Sequence, residues 1–118
     1  MSYDIELADP VTGETCELSA PHHMRGGTYQ MGGCSMAELN VTYNYGPIFF
    51  RVLGEGGVRS IYGMTGAASL PILRAAADKL ADNASADYWE PTEGNAKRAL
   101  LQLEALAEMC PDGVWRGD

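Results

Sequence analysis

The sequence is short of the features that announce most chemistries. Its three cysteines, Cys16, Cys34 and Cys110, form no CxxC pair, so neither a disulfide framework nor a zinc knuckle is specified. Three small buried thiols in a reducing compartment is the expectation. The two imidazoles, His22 and His23, are adjacent. On an extended segment neighbours point to opposite sides, and no Cys, His or carboxylate stands at a recognised ligand spacing from them, so no metal is expected. No apolar run approaches the roughly 20 residues of a membrane-spanning helix. The opening residues MSYDIELADP lack the basic and apolar regions of a secretory signal, which points to the cytoplasm and away from membranes. Basic charge is scarce too, with 8 Lys and Arg against 16 Asp and Glu and a net charge of −8. A general affinity for nucleic acid is thereby disfavoured, because phosphate binding needs a basic face.

Catalytic signatures are equally scarce. Gly63-Met64-Thr65-Gly66 precedes a helical pattern, and helix N-termini can hold phosphate through free N–H groups. It lacks the lysine and the spacing of a P-loop, and it is no GxGxxG. Nothing flanking Cys34 resembles a nucleophile motif that would pair with His22 or His23. No catalytic residue and no cofactor are expected. A small hydrolytic enzyme using one of the histidines ranks last among the readings.

What is present reads as one α+β domain of 118 residues. Tyr3, Ile5 and Leu7 alternate with polar residues, as do Cys16 and Leu18. Between them lies the turn cluster Asp9-Pro10-Val11-Thr12-Gly13, so residues 2–19 predict an antiparallel hairpin. Residues 20–37 read as an ordered loop with a short strand at 28–31. A strand at 38–43 and a short helix from Pro47 to Leu53, closed by Gly54, follow; the alternative is helix throughout 38–53. A helical turn at 58–62 precedes a helix over 69–82, capped by Thr65 or Ser69 with Pro71 in its first turn and Asn83 as its stop. The last helix, 93–110, is capped by Thr92 and ended by Pro111. Its apolar stripe runs through Ala96, Ala99, Leu100, Leu103, Leu106, Ala107 and Cys110. The expected architecture is a small antiparallel sheet packed against two main C-terminal helices plus short helices.

Charge and residue types are unevenly spread. Residues 1–20 carry five acids and no base, and residues 65–118 nine acids against five bases, while 21–64 carry three arginines against two glutamates. That middle stretch also holds both histidines, four of the six tyrosines and nine of the fourteen glycines. Glycine allows close backbone approach, tyrosine and histidine offer flat faces with polar tips, and arginine binds anions. The candidate ligand-binding residues are therefore His22, His23, Arg25, Tyr43, Asn44, Tyr45, Arg51, Arg59, Tyr62 and Thr65. Alternation would put Tyr43 and Tyr45 on one face, where two rings can hold a planar ligand while Arg51 and Arg59 neutralise its phosphates.

Several phrases together carry a likeness: Tyr3-Asp4-Ile5-Glu6-Leu7 with Asp9-Pro10-Val11-Thr12-Gly13, Pro21-His22-His23-Met24-Arg25-Gly26-Gly27-Thr28-Tyr29, Thr42-Tyr43-Asn44-Tyr45, Ile61-Tyr62-Gly63-Met64-Thr65-Gly66, Gly94-Asn95-Ala96-Lys97 and Pro111-Asp112-Gly113-Val114-Trp115. Over nearly its whole length the chain resembles a group of small uncharacterised proteins encoded by bacteriophages and prophages. The resemblance implies a counter-defence protein of the host bacterial cytoplasm and brings no catalytic residues with it. Small acidic phage proteins of this kind inhibit a defence effector or sequester a nucleotide-like immune signal. The expected partner is a small anionic ring-bearing molecule bound by the 21–64 region. The alternative is a host defence protein, engaged by the acidic first strands or by the C-terminal helix. Homo-oligomerisation is compatible with either.

Overall fold

The computed structural model describes residues 1–18, the backbone of 28–29, and 35–118. Four strands, β1 (Ser2–Ala8), β2 (Thr28–Tyr29), β3 (Glu38–Thr42) and β4 (Val114–Gly117), form one sheet in the order β2-β3-β1-β4. Every pairing is antiparallel. Alternation on β1 buries Tyr3, Ile5 and Leu7 on one face, level with Leu39 and Val41 of β3 and Trp115 of β4. Helices α1 (Gly46–Leu53), α2 (Gly66–Asp78) and α3 (Glu93–Met109) complete the fold, with 3-10 turns at Tyr43–Tyr45 and Gly57–Ile61. The α+β class expected from the sequence is the class observed.

The hairpin is present in its turn and only partly in its second arm. Asp9 Oδ1 accepts from the amides of Val11 and Thr12, and the Gly13 amide donates to Asp9 O. The returning chain then makes bridges rather than a strand, Ala8 with Thr15 and Glu17 with Met36. Cys16 donates to Leu7 O and accepts from Ala37, so this segment wedges between the ends of β1 and β3. The long partners of β1 are β3 and, from the other end of the chain, β4. The expected strand at 28–31 is observed at 28–29; the rest of it and most of the 20–37 loop lie outside the described residues.

The expected helices are all present, with shifted ends. Thr65 rather than Ser69 caps α2, accepting from the Ala68 amide at 3.1 Å. Pro71 therefore lies beyond the first turn, and the helix ends at Asp78, before Asn83. Ser69 is instead fully buried. Its hydroxyl donates to Gly66 O and accepts from the Trp115 indole N–H at 2.7 Å, which satisfies the only polar atom of the largest core side chain. Thr92 caps α3 as expected, and the helix has 17 residues. The start of α2 lies against the end of α3, where a Cβ on Gly66 would meet Cys110 O at 2.8 Å. Arg74 bridges the two helices to Glu104 and Glu108. Leu100, Leu103 and Leu106 of α3 are wholly buried with Leu73 of α2 and the strand side chains.

Truncating a fully buried leucine removes its transfer energy and leaves a cavity. Leu103→Ala is expected to lower unfolding stability by about 2–4 kcal/mol. Urea titration checks this, and a cost below about 1 kcal/mol would mean that α3 is not packed against the sheet as described.

Candidate functional site

The candidate ligand residues do not form one site. His22, His23 and Arg25 lie outside the described residues. Residues 43–45 turn as a 3-10 helix, not a strand, because the Thr42 hydroxyl accepts from the Asn44 amide and starts a helical turn. Three residues per turn separate Tyr43 from Tyr45, so the shared face that alternation would give is absent. Tyr45 is wholly buried, edge-on to Phe49, and its hydroxyl donates to Tyr88 O. Arg51 is on the surface of α1, paired with Glu93 of α3 at 3.1 Å. The Thr65 hydroxyl is occupied as the cap of α2.

Three of the candidates do converge. Tyr43, Arg59 and Tyr62 meet Tyr3 and Asp118 at the end of the sheet where β1 begins and β4 finishes. The Arg59 guanidinium carbon lies 5.0 Å from the Tyr3 ring centre and 5.6 Å from that of Tyr43. Its Nε donates to Asp118 O at 2.7 Å and its Nη2 to the Tyr43 hydroxyl at 3.3 Å. Asp118 Oδ1 in turn accepts from the Asp4 amide. Arginine held against two rings and bonded to a main-chain oxygen already has its guanidinium engaged, so this corner is cohesive rather than an open anion site. The Tyr62 hydroxyl is buried and has no hydrogen-bond partner among the described residues. Burial first, and the nearby Asp118 charge second, push its pKa up to about 12, against a smaller lowering by Arg59.

A second feature lies between α2 and α3. Residues 83–91 lie in the connection between α2 and α3, and they are held by side chains that come from below. Gly94, in the first turn of α3, has no Cβ because one would strike the backbone of Asn83 and Ala84 within 2.3–2.9 Å. Asn95, wholly buried, accepts from the Ser85 amide and donates to both Asp87 O and Glu90 O. Asn44 Nδ2 donates to Trp89 O at 2.8 Å, and Tyr45 OH takes the neighbouring carbonyl of Tyr88. Asp87 closes the turn by accepting from the Trp89 amide.

With its carbonyls tied inward, this segment turns its two rings out. Tyr88 is 46% exposed and Trp89 48%, with centres 5.4 Å apart. Carboxylates flank them in sequence: residues 82–93 contain Asp82, Asp87, Glu90 and Glu93 and no base. Lys97 takes Asp82 and Arg51 takes Glu93, whereas Asp87 and Glu90 enter no ion pair among the described residues. Glu93 is held below the usual carboxylate range by the Ala81 amide first and by Arg51 with it. Elsewhere, a groove of about 310 Å³ is lined by Ala8, Asp9, Pro10, Gly13, Val114 and Arg116, at the far end of β1 from the tyrosine corner.

This loop is not visible as an aromatic–basic mixture in the sequence, because here the aromatics stand among acids. The signal was available: Tyr88-Trp89 falls in a polar stretch between two helical stripes and belongs to neither. Among the described residues there is no cluster of three or more potential metal ligands, and no helix is long and apolar enough to cross a membrane. Comparison of the chain with protein-family models, with curated proteins and with solved structures finds no match.

Two outcomes are expected. Asn95→Ala leaves one amide and two carbonyls of the loop without their part-buried partner, and is expected to cost about 2–3 kcal/mol. Amide exchange in residues 84–90 should accelerate by more than the drop in global stability explains. Unchanged exchange there would show that the loop is held by other contacts. Separately, raising the Tyr62 pKa favours the protonated folded form, so its contribution is complete below the unfolded tyrosine pKa of about 10 and declines as pH rises towards about 12. Thermal melts from pH 9 to 12 should show a stability loss that is reduced in Tyr62→Phe, a variant with nothing to ionise at this position.

Proposed function

We propose that the chain is a protein-binding module whose working surface is the 83–91 loop, and that its partner presents a basic, arginine-bearing surface. The observation that carries the reading is the exposed Tyr88–Trp89 pair on a backbone fixed by Asn44, Tyr45 and Asn95, beside Asp87 and Glu90, which enter no ion pair among the described residues. Tryptophan and tyrosine dominate binding hot spots, since they bring large area at small entropy cost. A guanidinium can stack on the indole while its N–H groups meet a carboxylate. A net charge of −8 adds long-range attraction for a basic partner and speeds encounter.

This reading moves the acidic surface from where the sequence suggested it. Glu104 of α3 is engaged by Arg74, and Glu6 of β1 by Arg116, so the first strand and the last helix spend part of their charge internally. The likeness to phage-encoded proteins makes an inhibitor of a basic host defence protein the role that fits best. A second reading, sequestration of a nucleotide-like anion, draws on the meeting of Tyr43, Arg59 and Tyr62 in one corner. A ligand there would have to displace Asp118 from Arg59.

Fluorescence separates the two, because Trp89 is half exposed while Trp115 is wholly buried. Titration with an arginine-rich peptide is expected to give a saturable change that weakens with salt. Trp89→Ala should weaken binding by roughly 30-fold or more, as measured by calorimetry, and Asp87→Asn with Glu90→Gln should weaken it less. Peptide binding that ignores Trp89, or nucleotide binding that vanishes in Arg59→Ala while the peptide fails to bind, would transfer the function to the tyrosine corner.

A further inference from the structure

Cys16 and Cys110 belong to segments almost at opposite ends of the chain, yet they face each other across Gly113. The position that a Cβ on residue 113 would take lies 3.0 Å from Cys16 Sγ and 3.2 Å from Cys110 Sγ. Both sulfurs thus border the one space that a side chain at residue 113 would fill. Leu7 Cβ closes the same space at 3.0 Å. Neither thiol is sealed off, both being half-buried. Neither sits in the middle of a rigid element: Cys16 is in the returning segment after the 9–13 turn, and Cys110 is the residue that ends α3.

We infer that Cys16 and Cys110 are a modification site, a dithiol that closes to an intramolecular disulfide when a low-molecular-weight disulfide such as glutathione disulfide is in excess. The chemistry balances in two exchanges. The Cys110 thiolate attacks one sulfur of the oxidant, forming a mixed disulfide and releasing one glutathione thiolate. Cys16 then loses its proton, attacks the Cys110 sulfur and expels the second glutathione. Two protein S–H bonds are lost, one S–S bond forms, and the oxidant is reduced to two thiols. Burial first, and the hydrogen bond and charge of Cys110 next, hold the Cys16 thiol up at about 12, so it is not the first attacker.

Such a bond would join residues 16 and 110 and enclose most of the chain. Long loops lose the most unfolded-state freedom on closure, so the oxidised protein should be clearly the more stable form. The bond would also fasten the returning segment to the end of α3 and to the turn that starts β4. This inference does not depend on what the 83–91 loop binds.

The native chain, incubated with glutathione disulfide and digested with trypsin, tests it. Cleavage should yield residues 1–25 linked to residues 99–116, lighter by two hydrogens than the separate peptides and released by dithiothreitol. The melting temperature should rise on oxidation by roughly 10 °C. Cys34→Ser, which keeps both thiols, should retain that rise, and Cys16→Ser or Cys110→Ser should lose it. Stable glutathione adducts on both cysteines, a link to residues 26–51, or dimers joined between chains would overturn the assignment.

Discussion

The pairing of β4 with β1 is the constraint on which the other features rest. Four residues from the end of the chain lie beside its first strand in the register Ile5↔Gly117, Glu6↔Arg116, Leu7↔Trp115 and Ala8↔Val114. That register puts Trp115 in the core, where its indole N–H reaches Ser69 of α2. It delivers Asp118 to Arg59, and it draws the end of α3 down so that Cys110 meets Cys16. The outer edge of β4 is covered in turn by residues 63–66, through Gly63 N to Trp115 O and Trp115 N to Met64 O. An edge so covered cannot recruit another strand, so any partner must be met through side chains rather than by extending the sheet there.

That pairing was also the part of the fold least visible in the sequence. Val114-Trp115-Arg116-Gly117 is too short for alternation to be counted, and it follows a Pro-Asp-Gly turn that reads as the end of a domain. The hairpin was met only partly in its second arm for the same reason: local pattern predicts a neighbour in sequence, whereas β1 finds longer partners far away. Helices were legible because their signals are local. Thr92 with the Leu100, Leu103 and Leu106 stripe specified α3 almost to the residue. The cap of α2 was ambiguous between Thr65 and Ser69 until burial of Trp115 claimed the Ser69 hydroxyl, a tertiary demand that no local rule contains.

The candidate site was legible only in fragments, and the reason is physical. Enrichment in aromatics and arginine says that a segment has groups suited to ligands, but not whether the protein uses them itself. Here Tyr45 is taken by the core, Arg51 by Glu93, and Arg59 by two rings and Asp118. In a chain with twice as many acids as bases, each arginine is in demand internally, so a basic patch in the sequence need not become a basic surface. Surplus carboxylates are left over instead, and the ones left beside exposed aromatics define the most distinctive surface among the described residues.

Rigidity is what makes that surface more than an exposed turn. A loop that must order on binding gives up roughly 1–2 kcal/mol per residue of backbone freedom, enough over several residues to cancel a good hot spot. Asn95, Asn44 and Tyr45 meet most of that cost during folding, since each holds a backbone carbonyl of 87–90. Two of these three side chains come from the segment that was expected to bind a ligand directly. Their role is one step removed: Asn44 and Tyr45 position Tyr88 and Trp89. A variant such as Asn44→Ala should therefore weaken partner binding without touching the partner, chiefly by letting the loop move. Its effect should appear as faster association-incompetent motion in residues 87–90, and rigidifying the loop by other means should restore the affinity.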